Sequence, residues 1–112
     1  MCTEKQLAMI ETQMVESYRN VFGNSIVEII LYGSYARGDY DSDSDIDITA
    51  IVHGERRELQ DKLKYVWDVA FDIGLENNII ISPTVIPVHE FDKYKIQLPY
   101  YRNIATEGKR IG

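Results

Sequence analysis

The chain has 112 residues, 45% of them apolar and 27% charged, and a net charge of −6. That mix suits one globular domain with a small core and excludes a disordered chain. The negative balance excludes sequence-independent binding of nucleic acid, which needs a basic surface, but it leaves room for a nucleotide carried in with a metal ion.

Residues 3–22 predict a helix. Thr3 followed by Gln6 fits a capping box, Leu7, Ile10, Met14, Tyr18 and Val21 share one face, and Gly23-Asn24 supplies the stop. "SIVEIILY" (25–32) reads as a buried strand bounded by turn residues. A short turn or helix follows. "DIDITAIV" (45–52) is β-branched and predicts a second strand. Residues 56–77 carry Leu59, Leu63, Val66, Trp67, Ala70 and Ile73, the pattern of a long amphipathic helix. "NIIISPTVIPV" (78–88) predicts a third strand, with Pro83 and Pro87 indicating an edge position. Residues 90–97 form a short helix, and Pro99 starts a last helix that ends at Gly108. The order predicts an α/β (α+β) domain over 1–112, a small mixed β-sheet with helices packed on it.

The segment "GSYARGDYDSDSDID", Gly33 to Asp47, carries five aspartates at alternate positions. Two carboxylates about 4 Å apart repel by roughly 4 kcal/mol at an effective dielectric near 20, so the run needs a reason. A calcium loop opening at Asp41 requires Gly at its sixth position and Glu at its twelfth; Ile46 and Val52 stand there. A phosphate loop from Gly33 to Gly38 must continue with Lys and Ser or Thr; Asp39-Tyr40 follows. Strand geometry is the reading that survives. On a strand, Asp45 and Asp47 point to one face while Ile46 and Ile48 point to the other, with the aspartate α-carbons roughly 6–7 Å apart. Such a pair can converge on one divalent ion or on two, and magnesium suits carboxylate, water and phosphate ligands. Gly33 at the end of the preceding strand permits close backbone approach, Ser34 offers a hydroxyl and an N–H to a phosphate, and Arg37 reaches the same charge. Taken singly, an Asp-x-Asp is ordinarily a solvated cap, a Gly-Ser a turn and an Arg a surface residue. Their combination at this spacing points to a phosphate cradle facing a metal-binding pair.

Gly33-Ser34, ten residues, then Asp45-Ile46-Asp47 resembles the signature of the DNA polymerase beta-like nucleotidyltransferase superfamily. The fuller "GSYARGDYDSDSDIDI" is similar to its minimal, antitoxin-type (MNT) branch, and the likeness extends over most of the chain, to the tail "YYRNIATEG". The resemblance implies a nucleotidyltransferase fold and a metal-dependent transfer of a nucleoside monophosphate, AMP from ATP being the expected case, to a hydroxyl acceptor with release of pyrophosphate. Carried over by position, Gly33, Ser34 and Arg37 hold the triphosphate, and Asp45 and Asp47 bind Mg²⁺ and are catalytic. Asp39, Asp41 and Asp43 then belong to a solvated loop, ordered by bonds from Ser44 and Asp43. Active members usually carry a third carboxylate on the next strand. Here that strand offers Ser82 and Thr84, and Asp72 and Glu76 lie on the helix before it.

The branch it resembles implies a small helical HEPN-type partner in a toxin–antitoxin pair, with a tyrosine on the partner as acceptor. The alternative is a catalytically impaired, binding-only antitoxin, and a third reading is an enzyme acting on a small hydroxylated antibiotic. No direct nucleic-acid partner is expected, since Arg56-Arg57 and Lys109-Arg110 are too few for a patch; a homo-oligomer is compatible with the sequence. His53 and His89, at strand ends, read as solvated. Tyr65, Trp67 and Phe71 read as helix-packing residues, and Tyr100, Tyr101 and Arg102 as packing onto the sheet rather than stacking on adenine. The single Cys2 excludes an internal disulfide and a cysteine zinc site, and near a mobile terminus it reads as inert. No apolar run approaches the roughly 20 residues of a membrane span, and "MCTEKQLAMIETQ" has charges where a signal peptide has its apolar core, so the expected location is cytoplasmic, with no membrane.

Overall fold

A computed structural model describes residues 2–112. Helix α1 (Glu4–Phe22) begins at the expected capping box. Thr3 Oγ1 accepts from the Gln6 N–H at 3.0 Å, and the Gln6 side chain accepts from the Thr3 N–H at 3.3 Å. Gly23, at φ 58°, ends the helix, and a single 3-10 turn leads into strand β1 (Ile26–Tyr32). After a four-residue helix α2 (Ser34–Arg37) come strand β2 (Ile46–Val52), the long helix α3 (Arg56–Asn77), strand β3 (Ile81–Pro87), and helices α4 (Val88–Tyr94) and α5 (Pro99–Glu107). A two-residue strand β4 (Lys109–Arg110) follows.

The sheet order is β3-β2-β1-β4. β1 runs antiparallel to both β2 and β4, and β3 lies parallel to β2, joined through the α3 crossover. Pro83 and Pro87 therefore sit on an edge strand, where a missing N–H costs least.

Two expected boundaries need correction, and one strand was not expected. β3 begins at Ile81 rather than at residue 78, because Asn78 takes the left-handed C-cap of α3 at φ 53° and Ile79 still bonds back to Gly74. α4 starts at Val88, straight out of β3, rather than at residue 90. β4 is too short for any periodicity to reveal, and it exists only because β1 offers it an edge.

The main core lies between the sheet and α1 with α3. Ile10, Met14, Tyr18 and Phe22 from α1 and Leu59, Leu63, Val66, Ala70 and Ile73 from α3 cover Ile29, Leu31, Ile46, Ile48, Ala50 and Val85. Tyr18 is fully buried; its hydroxyl donates to the Thr84 carbonyl at 2.8 Å with the Ile48 carbonyl at 3.2 Å, tying α1 to β2 and β3. The opposite face carries a smaller cluster, Ile30, Ile51, Ile86, Phe91 and Ile104, under α4 and α5. Cys2 is buried rather than loose, its amide donating to the Tyr35 hydroxyl at 3.4 Å, and burial raises its thiol pKa.

Trp67, Phe71 and Tyr65 overturn the expectation that they pack the helix. They are 45%, 65% and 56% exposed. The buried stripe of α3 runs 59-63-66-70-73, and the 3.6-residue period turns 65, 67 and 71 away from it.

Candidate active site

The site is built where β1 ends and β2 begins. In the antiparallel pair, Tyr32 lies opposite Asp47, so Gly33 follows beside the Asp47 side chain. Gly33 has φ 74° and ψ −155°, a conformation open to glycine alone. A β-carbon placed there would lie 2.5 Å from Asp47 Oδ2. Ser34 then opens α2 and is half-buried; the Ala36 and Arg37 N–H groups donate to the Gly33 carbonyl at 3.1 Å, which leaves those of Ser34 and Tyr35, at the very start of the turn, to face a phosphate. Gly38, at φ 87°, closes α2. Tyr35 and Ala36 are buried, and the Tyr35 ring stacks on Tyr40 with centroids 4.2 Å apart, which anchors the turn.

Asp45 stands one residue ahead of β2 and Asp47 is its second residue. Ile46 between them is fully buried in the main core, which turns both aspartates toward the other face. Asp45 is exposed and Asp47 half-buried. Burial raises the pKa of Asp47, the Asp45 charge raises it further, and Arg37 opposes the rise. The aspartates are thus near enough to feel each other's charge. Among the described residues no group of three or more His, Cys, Asp or Glu side chains is placed to hold a metal. Two carboxylates are a donor set that suits magnesium, a hard ion that keeps several waters and shares phosphates.

Arg37 is exposed and engaged. Its guanidinium reaches Asp39 at 3.2 Å and Glu107 of α5 at 3.4 Å. Ahead of β2 the loop is ordered by Asp41 rather than by Asp43: Asp41 Oδ1 accepts from the Asp43 N–H at 2.9 Å, and Ser44 Oγ accepts from the Asp41 N–H at 3.0 Å. Asp39, Asp41 and Asp43 are all exposed.

The parallel register sets Ser82 beside Asp47, and Thr84 beside Thr49 one step farther in. Both hydroxyl residues therefore share the aspartate face. The Thr84 hydroxyl lies 3.5 Å from the Ile48 carbonyl. Sequence reasoning missed Tyr32, whose hydroxyl is 2.9 Å from that of Tyr100 across the same face, their rings edge-on. Burial raises the Tyr32 pKa. Only strand pairing exposes this neighbour of Asp47, since the 13 residues between β1 and β2 do not dictate a register.

His53 and His89 lie past the far ends of β2 and β3, exposed and away from the aspartates. Asp72 and Glu76 are exposed on α3. Tyr101 packs against Phe91 and Tyr94, and its hydroxyl meets Glu90, which also binds the Arg56 guanidinium. That cluster joins α3, α4 and α5. A groove of about 580 Å³ opens on the β3 side of Asp45, between the 42–45 loop and the C-terminal half of α3.

Residues 13–111 match the family model described as "Nucleotidyltransferase domain". A protein of Methanocaldococcus jannaschii named "Putative protein adenylyltransferase MJ0604" is 33% identical over 87% of this chain and 89% of its own length. A crystal structure described as that of "a putative nucleotidyltransferase from Sulfolobus solfataricus", at 23% identity, superposes with a TM-score of 0.57 over 96% of this chain and 82% of that one. The tri-AMPylated Shewanella oneidensis HEPN toxin in complex with MNT antitoxin, at 16% identity, gives a TM-score of 0.52 over 96% and 71%. With the motif, the sheet that carries it and a family match across nearly its whole length, this chain belongs to the nucleotidyltransferase domain family and is an enzyme of that class.

Proposed function

We propose that the chain binds ATP with Mg²⁺ between Gly33-Ser34 and Asp45-Asp47 and transfers AMP to a hydroxyl of a partner protein, a HEPN-type toxin for which it serves as antitoxin. The close packing of Gly33 on Asp47 carries this reading, because it brings a phosphate cradle and a carboxylate pair into one site. A relative named as a protein adenylyltransferase supports a protein acceptor, and a structural neighbour described with an AMPylated HEPN toxin supports the kind of partner.

Ser34 and the first turn of α2 receive the β- and γ-phosphates, and Arg37 turns to them from Asp39 and Glu107. Magnesium, when bound, would be held by Asp45 and Asp47 and would offset the charge of the triphosphate beside them. The acceptor oxygen bonds to the α-phosphorus as the bond to the bridging oxygen of the β-phosphate breaks. Pyrophosphate leaves with that electron pair, and the hydroxyl proton passes to water. Ser82, beside Asp47, supplies no carboxylate to draw that proton off, which favours slow transfer.

The test is incorporation of labelled AMP from ATP into a co-purified HEPN-type protein, with pyrophosphate release measured in parallel. Label in the partner, lost in Asp47→Asn, is the expected result. Label from no nucleotide, while tight partner binding persists, would support the binding-only antitoxin instead.

A further inference from the structure

We propose that the exposed ridge Trp67-Phe71-Leu75 of α3, with Ile80 and the groove beside it, is the seat of the acceptor protein, which lays an amphipathic helix with a basic flank along it. This rests on the nucleotidyltransfer reading above and deepens it.

Three observations converge. The first is an unpartnered apolar surface next to the site. Trp67, Phe71, Leu75 and Ile80 are 45%, 65%, 67% and 63% exposed, on a chain whose main core is already complete on the other side of α3. A cluster of this kind beside a cleft marks an interaction surface. The 67-71-75 spacing is an i, i+4 ridge, the form that packs into the groove of another helix.

The second is charge. Asp68, Asp72 and Glu76 make a parallel ridge one residue on, and residues 65–77 contain no lysine or arginine. Asp43 and Asp45 close the end of the groove, and among the described residues no lysine or arginine lines it. Like charges at i, i+4 destabilise a lone helix; a basic flank on the partner relieves them. The complement of an apolar ridge edged with carboxylates is an apolar ridge edged with lysine or arginine.

The third is direction. The sheet places the Gly33-Ser34 turn at the end of β1, the aspartates at the start of β2, and the groove at the start of β3. Strand order thus sets the aspartates between the phosphate cradle and the groove, and Asp45, though not Asp47, lines the groove itself. Phosphoryl transfer puts the attacking and leaving oxygens roughly in line. If pyrophosphate leaves toward Ser34, the acceptor arrives from the β3 side. The groove ends there, at Asp45.

The experiment uses the chain and a HEPN-type protein that co-purifies with it, the acceptor of the nucleotidyltransfer reading. Phe71→Lys and Leu75→Lys, both at exposed positions, are compared with Asp68→Lys and Asp72→Lys for MgATP affinity, partner affinity and AMP incorporation, each variant first checked by thermal unfolding. The ridge variants are expected to weaken partner binding at least about tenfold. The partner concentration for half-maximal labelling should rise in step, with MgATP affinity held within about twofold. The charge reversals should slow association and flatten its salt dependence. Unchanged partner affinity in both sets overturns the proposal. So does a loss of MgATP affinity in the ridge variants, which would make the groove a nucleoside site. A ridge-dependent dimer of this chain, with partner affinity intact, overturns it in favour of a second copy. Failure of the wild type to bind MgATP would sink the nucleotidyltransfer reading alone, because partner binding is measured without nucleotide.

Discussion

Gly33 and Asp47 are packed so closely that no side chain fits between them: a β-carbon on Gly33 would lie 2.5 Å from Asp47 Oδ2. Gly33 also holds φ 74°, so replacement strains the backbone as well as the contact. Gly33→Ala is expected to cost about 1–3 kcal/mol of stability from backbone strain and to displace the Asp47 carboxylate. Urea unfolding reads the first effect. Loss of MgATP affinity in a still-folded variant reads the second, and wild-type affinity would show that the contact does not position Asp47.

Asp45→Asn and Asp47→Asn should remove the enhancement of ATP binding by Mg²⁺ while preserving the fold. The aspartates repel each other and Asp47 is partly desolvated, so its charge is costly without an ion. Calorimetric titration with ATP, with and without Mg²⁺, distinguishes the outcomes. Equal, metal-independent affinities in the wild type and both variants would discard the carboxylate-pair assignment.

The same residue predicts a pH dependence of stability in the presence of a chelator. The carboxyl pKa of Asp47 is raised on folding, burial being the main cause and the Asp45 charge the second. The folded state therefore holds this proton more tightly than the unfolded one. Its contribution is full below the ordinary carboxylate pKa and is lost as pH rises through the folded value. Asp47→Asn should equal or exceed the wild type in stability at pH 7, and the gap should close under acid. Denaturation midpoints across pH 3–7 measure this; a gap that widens in acid contradicts it.

The β2–β3 register separates two hydroxyl residues. Ser82 is the residue beside Asp47, whereas Thr84 sits deeper, near the Ile48 carbonyl. Ser82→Asp is expected to raise AMP transfer, within the roughly 10²–10⁴-fold that general-base catalysis supplies. Thr84→Asp should destabilise the chain without that gain. Fast transfer by the wild type, unchanged by Ser82→Asp, would mean that the acceptor protein brings its own base.

Arg37 is held by Asp39 and Glu107 before any phosphate arrives. Exposed ion pairs are weak, so Glu107→Gln should strengthen MgATP binding by less than about fivefold. Arg37→Gln should weaken it by about tenfold or more. If the two substitutions shift affinity in the same direction, Arg37 is not a phosphate ligand.

Much of this protein was readable in its sequence because the signals are local. The capping box of Thr3 and Gln6, the glycine stop at Gly23, the periods of α1 and α3 and the edge prolines of β3 all act over a few residues. Asp45, Ile46 and Asp47 follow the same logic, since alternation along one strand turns the carboxylates away from the core that buries Ile46. Partnership between distant segments was not readable. The contact of Gly33 with Asp47, the place of Ser82 beside it, the Tyr32–Tyr100 pair and the two-residue β4 depend on strand register, which the long β1–β2 connection leaves open. Tyr65, Trp67 and Phe71, expected in the helix packing, are exposed for a related reason. Hydrophobicity marks a residue that prefers to leave water, but only the packed sheet decides which side of α3 is already covered.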